Sequence, residues 1–198
     1  VWHSQARPAP DAAFSLPYQI GTGIGGGLTP SDIKTAYNVP TGPTGSGETL
    51  GLFELDGYTP SDIAAYETNF KLPTVPLTNV LVDGGSGALG SGAAEVTLDI
   101  ELQIALAPGA AGIIVYEGPN TTTGVIDTYN KIATDNLAKQ ISTSWGEAEQ
   151  NETVATRTSE QVAFMQMASQ GQTIYAAAGD KGAYDYRRKT LAVDDPAS

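Results

Sequence analysis

Glu95 and Asp99 stand four residues apart in Ala94-Glu95-Val96-Thr97-Leu98-Asp99-Ile100-Glu101. The run is rich in apolar residues and continues through Leu102, Ile104, Ala105 and Leu106 to Pro108-Gly109. On a helix this spacing stacks the two carboxyls one above the other on the same face. Like charges in that arrangement repel, and a helix this apolar is largely buried, where carboxylates are rare unless paired. A proton shared between the two raises one pKa, couples their titrations and leaves a general base suited to acid. A solvated acidic helix face has the same spacing, so the rest of the chain has to decide between these readings.

The elements that must position the pair follow from periodicity. Strand patterns at 49–55, 79–83, 112–116, 140–145 and 173–178 alternate with helical patterns at about 60–70, 94–107, 125–136 and 158–170. For the last helix the spacing predicts Thr158 as N-cap, and Met165 and Met167 read as core filler. Thr29-Pro30-Ser31-Asp32-Ile33 and Thr59-Pro60-Ser61-Asp62-Ile63 read as one helix-capping solution used twice. Strand–helix alternation predicts an α/β fold, a doubly wound, mostly parallel sheet with helices on both faces. Ligands bind such sheets beyond the carboxyl ends of the strands. Polar residues collect there: Glu54 in Phe53-Glu54-Leu55-Asp56-Gly57, Ser144 in Ser142-Thr143-Ser144-Trp145-Gly146, and Asp180 in Ala178-Gly179-Asp180-Lys181-Gly182.

Composition narrows the chemistry. With 198 residues the chain is long enough for one domain with its own core. Lys and Arg number 10 against 22 Asp and Glu, a net charge of −12 that argues against nucleic acid and anionic membrane as partners. There is no cysteine, which excludes disulfides, thiol nucleophiles and thiolate metal sites. The one histidine, His3, would have to serve alone in any Ser-His-Asp triad or His-rich zinc site. No run of about 18 apolar residues and no signal pattern is present, so the sequence reads as a mature chain or a piece of one. Residues 1–28 read as an extended entry segment and 29–198 as one domain. The G-x-G-x-x-G matches at 21–26 and 85–90 read as a linker and a surface loop. Asn120-Thr121-Thr122 and Asn151-Glu152-Thr153 are N-glycosylation sequons, meaningful in a eukaryotic source.

Several blocks together resemble one family. Glu95-x-x-x-Asp99 before an Ala-Pro-Gly turn, Ile141-Ser142-Thr143-Ser144-Trp145-Gly146, and Ala176-Ala177-Ala178-Gly179-Asp180-Lys181-Gly182 are similar to the sedolisins, in particular the kumamolisin-like members. Leu106 through Ala110, Tyr116-x-x-Pro119-Asn120, and Thr29-Pro30 through Ala36-Tyr37 fit as well, in the same order and spacing. These are serine-carboxyl peptidases with a subtilisin-like fold. The resemblance implies that Glu95 is the general base, Asp99 the acid that orients and charge-couples it, and Asp180 the aspartic acid of the oxyanion hole. It implies that Glu54 and Trp145 extend the hydrogen-bond chain behind the acid pair. Trp145, Ser144 and Gly146 fall where the family lays the substrate backbone.

The family's nucleophile sits in a Gly-Thr-Ser segment downstream of the Gly-Asp block, and this chain contains no Gly-Thr-Ser. The expectation is therefore the N-terminal half of a catalytic domain. A second polypeptide, from the same precursor, would carry the serine and cover the apolar surface that a half-sheet leaves bare. The calcium that the resemblance implies would have its ligands outside this chain, and the implied protein is a secreted zymogen acting on peptides. Lys181 stands where the family has a small hydroxyl residue. Two other classes stay open: a binding module that has lost the nucleophile, and an unrelated doubly wound protein using its carboxylates in sugar chemistry.

Overall fold

The computed structural model of the chain describes residues 21–85, 87–184, 186 and 190–198. A short helix α1 (Pro30–Ala36) precedes strand β1 (Thr49–Glu54), helix α2 (Pro60–Phe70) and strand β2 (Leu77–Leu81). Then come α3 (Ala93–Leu106), β3 (Gly112–Glu117), α4 (Thr122–Asp135), β4 (Gln140–Thr143) and a short β5 (Glu147–Ala148). The chain continues through α5 (Val154–Ser169) and β6 (Thr173–Ala176) to β7 (Asp194–Asp195).

Five strands form one parallel sheet in the order β2-β3-β1-β4-β6, and β5 pairs antiparallel with β7 beside it. The expected doubly wound sheet is present. Helices α1, α2 and α3 pack together with α3 against β1, while α4 lies against β1 and β3 and carries α5 with it. Both faces are thus covered, which is why Gly51-Leu52-Phe53-Glu54 in the central strand is buried without alternation. Phe53 stacks on Tyr129 of α4 at 4.1 Å between ring centroids, and Tyr129 meets Phe164 of α5 edge-on at 4.9 Å. Each such fully buried aromatic or aliphatic side chain contributes roughly 1.5–3 kcal/mol of transfer free energy.

The register aligns the strand ends. Glu54 lies opposite Glu117, Leu81 opposite Glu117, Leu52 opposite Ser142, and Thr143 opposite Ala176. Glu54, Ser144 and Asp180 therefore project from one rim.

Five local expectations are corrected. Helix α5 starts at Val154, because the Thr153 hydroxyl accepts from the Thr156 amide at 3.1 Å. Thr158 lies inside the helix, donating to the Val154 carbonyl at 2.7 Å. Thr29 caps α1 as expected, in a capping box with Asp32, whereas Thr59 makes no side-chain cap and leaves the start of α2 to Pro60. Met167 is buried but Met165 is 64% exposed, because positions two apart point to opposite sides of a helix. Residues 21–28 form a closed glycine loop, with Gly21 and Gly23 amides donating to Gly26 and Gly27 carbonyls and Thr22 tied to Asp32. Residues 1–20 of the expected entry segment lie outside the described residues. Strand β4 stops at Thr143 because the Trp145 amide turns back to the Thr143 hydroxyl at 3.2 Å.

Candidate active site

Helix α3 carries the acid pair because Val96, Ile100 and Ile104 bury one stripe against β1, which turns Glu95 and Asp99 toward the carboxyl rim. Burial deepens along the line from the mouth inward. Glu95 is half-buried, Asp99 is 8% exposed and Glu54 is wholly enclosed. Behind Glu54 stands Trp145, whose indole Nε1 donates to Glu54 Oε2 at 2.7 Å. The Ser144 hydroxyl donates to Asp99 Oδ1 at 2.9 Å and also reaches Glu95.

The electrostatics follow from this burial. Enclosure pushes the Glu54 carboxyl well above the usual range, the Asp99 and Glu95 charges push it further, and the Trp145 hydrogen bond opposes them. Asp99 is pushed up to about 6, first by burial and then by Glu95, against the hydrogen bonds from Ser144 and Glu54. Glu95 is raised by burial and by the Asp180 charge, and lowered by Ser144. Burial and like charge thus favour Glu54 keeping its proton, which it shares with Asp99. Glu54 Oε1 and Asp99 Oδ2, both buried and lacking any other partner, are the oxygens left to share it.

The line opens into a cleft of about 480 Å³ lined by Tyr37, Glu95, Leu102, Ser144, Gly146 and Asp180, among others. Asp180 is exposed on the loop after β6, where Gly179 has φ +84°. The structure therefore brings together Glu54, Glu95, Asp99, Ser144, Trp145, Gly146 and Asp180. One expectation fails: Trp145 is 2% exposed and its ring packs on Gly92, where a Cβ would lie 2.4 Å from Cη2. The indole therefore lies behind the acids, leaving Ser144 and Gly146 of that segment at the cleft. Tyr37 and Asp194, which also line the cleft, carry no sequence signal, because only the folded chain brings them beside Glu95.

Among the described residues no group of three or more His, Cys, Asp or Glu could hold a metal ion. The implied calcium has no ligand set among the described residues. Among those residues no helix is long and apolar enough to cross a membrane.

The fold and site define a mostly parallel α/β domain of subtilisin-like type with a buried carboxyl relay at the strand ends. No family model matches the chain. It is 36% identical to kumamolisin of Bacillus sp. strain MN-32, over 86% of this chain and 32% of that protein. It is 26% identical to sedolisin of Pseudomonas sp. strain 101, over 90% of this chain and 33% of that protein. The solved structure of Pseudomonas sedolisin, a serine-carboxyl proteinase complexed with two molecules of pseudo-iodotyrostatin, superposes with a TM-score of 0.79 at 25% identity. That match covers 87% of this chain and 51% of that one. The chain belongs to the sedolisin family. It spans about a third of the length of the curated relatives it matches.

Proposed function

We propose that this chain supplies the acid half of a serine-carboxyl endopeptidase site, with the nucleophilic serine contributed from outside it. The observation that carries the reading is the relay Trp145–Glu54–Asp99–Ser144/Glu95, fully enclosed at Glu54 and open to a cleft at Glu95. Below about pH 6 Asp99 is protonated as well. Glu95, the least buried of the three and raised by burial and the Asp180 charge, faces the cleft. A histidine base would be protonated in that range, whereas a glutamate still accepts a proton.

In the reaction, Glu95 takes the proton from the serine hydroxyl as its oxygen attacks the peptide carbonyl. Asp180, at the same cleft, is the side chain that donates to the developing oxyanion. Glu95 then returns the proton to the leaving amine, and water hydrolyses the acyl-enzyme by the same route in reverse. Ser144 and Gly146 line the approach.

The surface supports completion by a further segment. The sheet ends at β6, where Tyr175 is 59% exposed, and the neighbouring helix α5 exposes Val162 and Met165 at 53% and 64%. Secretion, a zymogen stage and calcium ligands on the missing part belong to the same proposal.

Two readings compete. The absence of Gly-Thr-Ser favours a binding module. Sugar chemistry is disfavoured, because a glycosidase places its two acids across the scissile bond and here both stand on one helix. Intact mass spectrometry of the active, denatured material, paired with an acid peptide-hydrolysis assay, decides. A further polypeptide or extension bearing Gly-Thr-Ser, together with hydrolysis, is the expected result. This chain alone, without hydrolysis, overturns the peptidase reading in favour of the binding module.

A further inference from the structure

Asp56 lies two residues beyond Glu54 at the end of β1 and is half-buried. Its carboxylate accepts from three backbone amides: Gly57 at 2.8 Å, Gly90 at 2.6 Å and Gly92 at 2.7 Å. Gly92 is the N-cap of α3 and has no side chain with which to satisfy the orphan amides of the first turn. Asp56 instead holds the N-cap amide itself and the Gly90 amide two residues before it, from just beyond the end of β1. Short N–H···O⁻ contacts of this kind are roughly twice as strong as neutral ones, and a carboxylate at a helix N-terminus also meets the favourable end of the dipole. The turn is shaped to this contact. A Cβ on Gly90 would stand 2.6 Å from Asp56 Oδ2, and one on Gly92 would stand 3.1 Å from the same oxygen and 2.4 Å from Trp145 Cη2. One strand end therefore holds both sides of the relay: Glu54 meets Asp99 and Trp145, and Asp56 grips the head of the helix that carries Asp99 and Glu95.

We propose that Asp56 is a positioning residue for the acid pair, fixing α3 against the end of β1 so that Asp99 reaches Glu54 while Glu95 opens on the cleft. This deepens the peptidase reading and rests on it. The other titratable group facing Asp56 is Glu117, a buried carboxyl raised first by burial and then by the Asp56 charge.

The test compares wild type with Asp56→Ala and Asp56→Asn in the whole protein, serine-bearing segment included, well below the unfolding temperature. A displaced base should cost on the order of 100-fold in kcat for the alanine variant, with KM little changed. The pH–rate profile should move, because a loosened α3 changes the enclosure of Asp99. Asparagine keeps one carbonyl acceptor and should fall between. Gly90 and Gly92 amide exchange should quicken in both variants. A folded alanine variant with wild-type kcat and an unmoved pH profile overturns the proposal, even if its unfolding temperature falls. If the alanine variant does not fold, the asparagine variant decides by the same readouts. If wild type cleaves no peptide, the peptidase reading fails by itself. The Asp99 carboxyl titration, followed by ¹³C NMR in Asp56→Asn, then decides: a lowered apparent pKa supports positioning, and an unchanged titration refutes it.

Discussion

Asp99 sits near pH 6 because burial disfavours its charge more than the hydrogen bonds from Ser144 and Glu54 favour it. Its folded pKa lies above the ordinary value of 3.8, so the folded chain holds its proton more tightly than the unfolded one. The associated stability is fully present below about pH 4 and is lost as pH rises through about 6. Asp99→Asn stays neutral throughout. Urea unfolding at pH 4 and pH 7 should therefore show wild type losing more stability than the variant, by about 3 kcal/mol at most; equal losses would contradict the burial argument. Trp145 makes a second prediction at this scale. Trp145→Phe keeps an aromatic side chain but removes the indole donor to Glu54 Oε2, so stability should drop by about 1–3 kcal/mol and the Glu54 titration should move upward. An unchanged denaturation midpoint would mean that Glu54 does not need the indole.

At the scale of elements, two pairs of threonines separate capping from mere resemblance to it. Thr153→Ala should cost about 1 kcal/mol and Thr158→Ala little, because only Thr153 accepts from an amide in the first turn of α5. Thr29→Ala should likewise cost more than Thr59→Ala, since the second copy of Thr-Pro-Ser-Asp-Ile makes no side-chain cap. Thermal melts of the four variants test both pairs. These cases show what the sequence could disclose. The order of strands and helices was legible because hydrophobic periodicity survives any tertiary arrangement. The start of α5 was not, because Thr153, Thr158 and their neighbours offer equivalent caps, and packing selects among them. Spacing singled out Glu95 and Asp99 without telling a buried pair from a solvated face, and the resemblance supplied their expected roles, whereas nothing in the sequence marked Asp56. Its partners are backbone amides of Gly90 and Gly92, remote in sequence and without side chains to signal the contact. The burial of Trp145 escaped the motif for the same reason: what encloses it is Gly92, on another element.

At the scale of the whole molecule, the sheet has an open edge at β6 among the described residues. The Thr173 and Ala177 amides bond to the Lys139 and Thr143 carbonyls of the β4 side, which leaves the Ile174 and Ala176 amides facing outward. If a further segment completes the sheet, these two amides should exchange slowly in the purified protein, and fast exchange at both would contradict completion at this edge. The relay is tested most directly by the pH–rate profile of peptide hydrolysis by the complete protein and by its Glu95→Gln variant. The expected result is acidic activity in the wild type and a loss of about 10²- to 10⁴-fold across that range in the variant, the contribution of a general base. Acidic hydrolysis that persists at the wild-type rate in Glu95→Gln would show that another group takes the proton, and the assignment of Glu95 would fall.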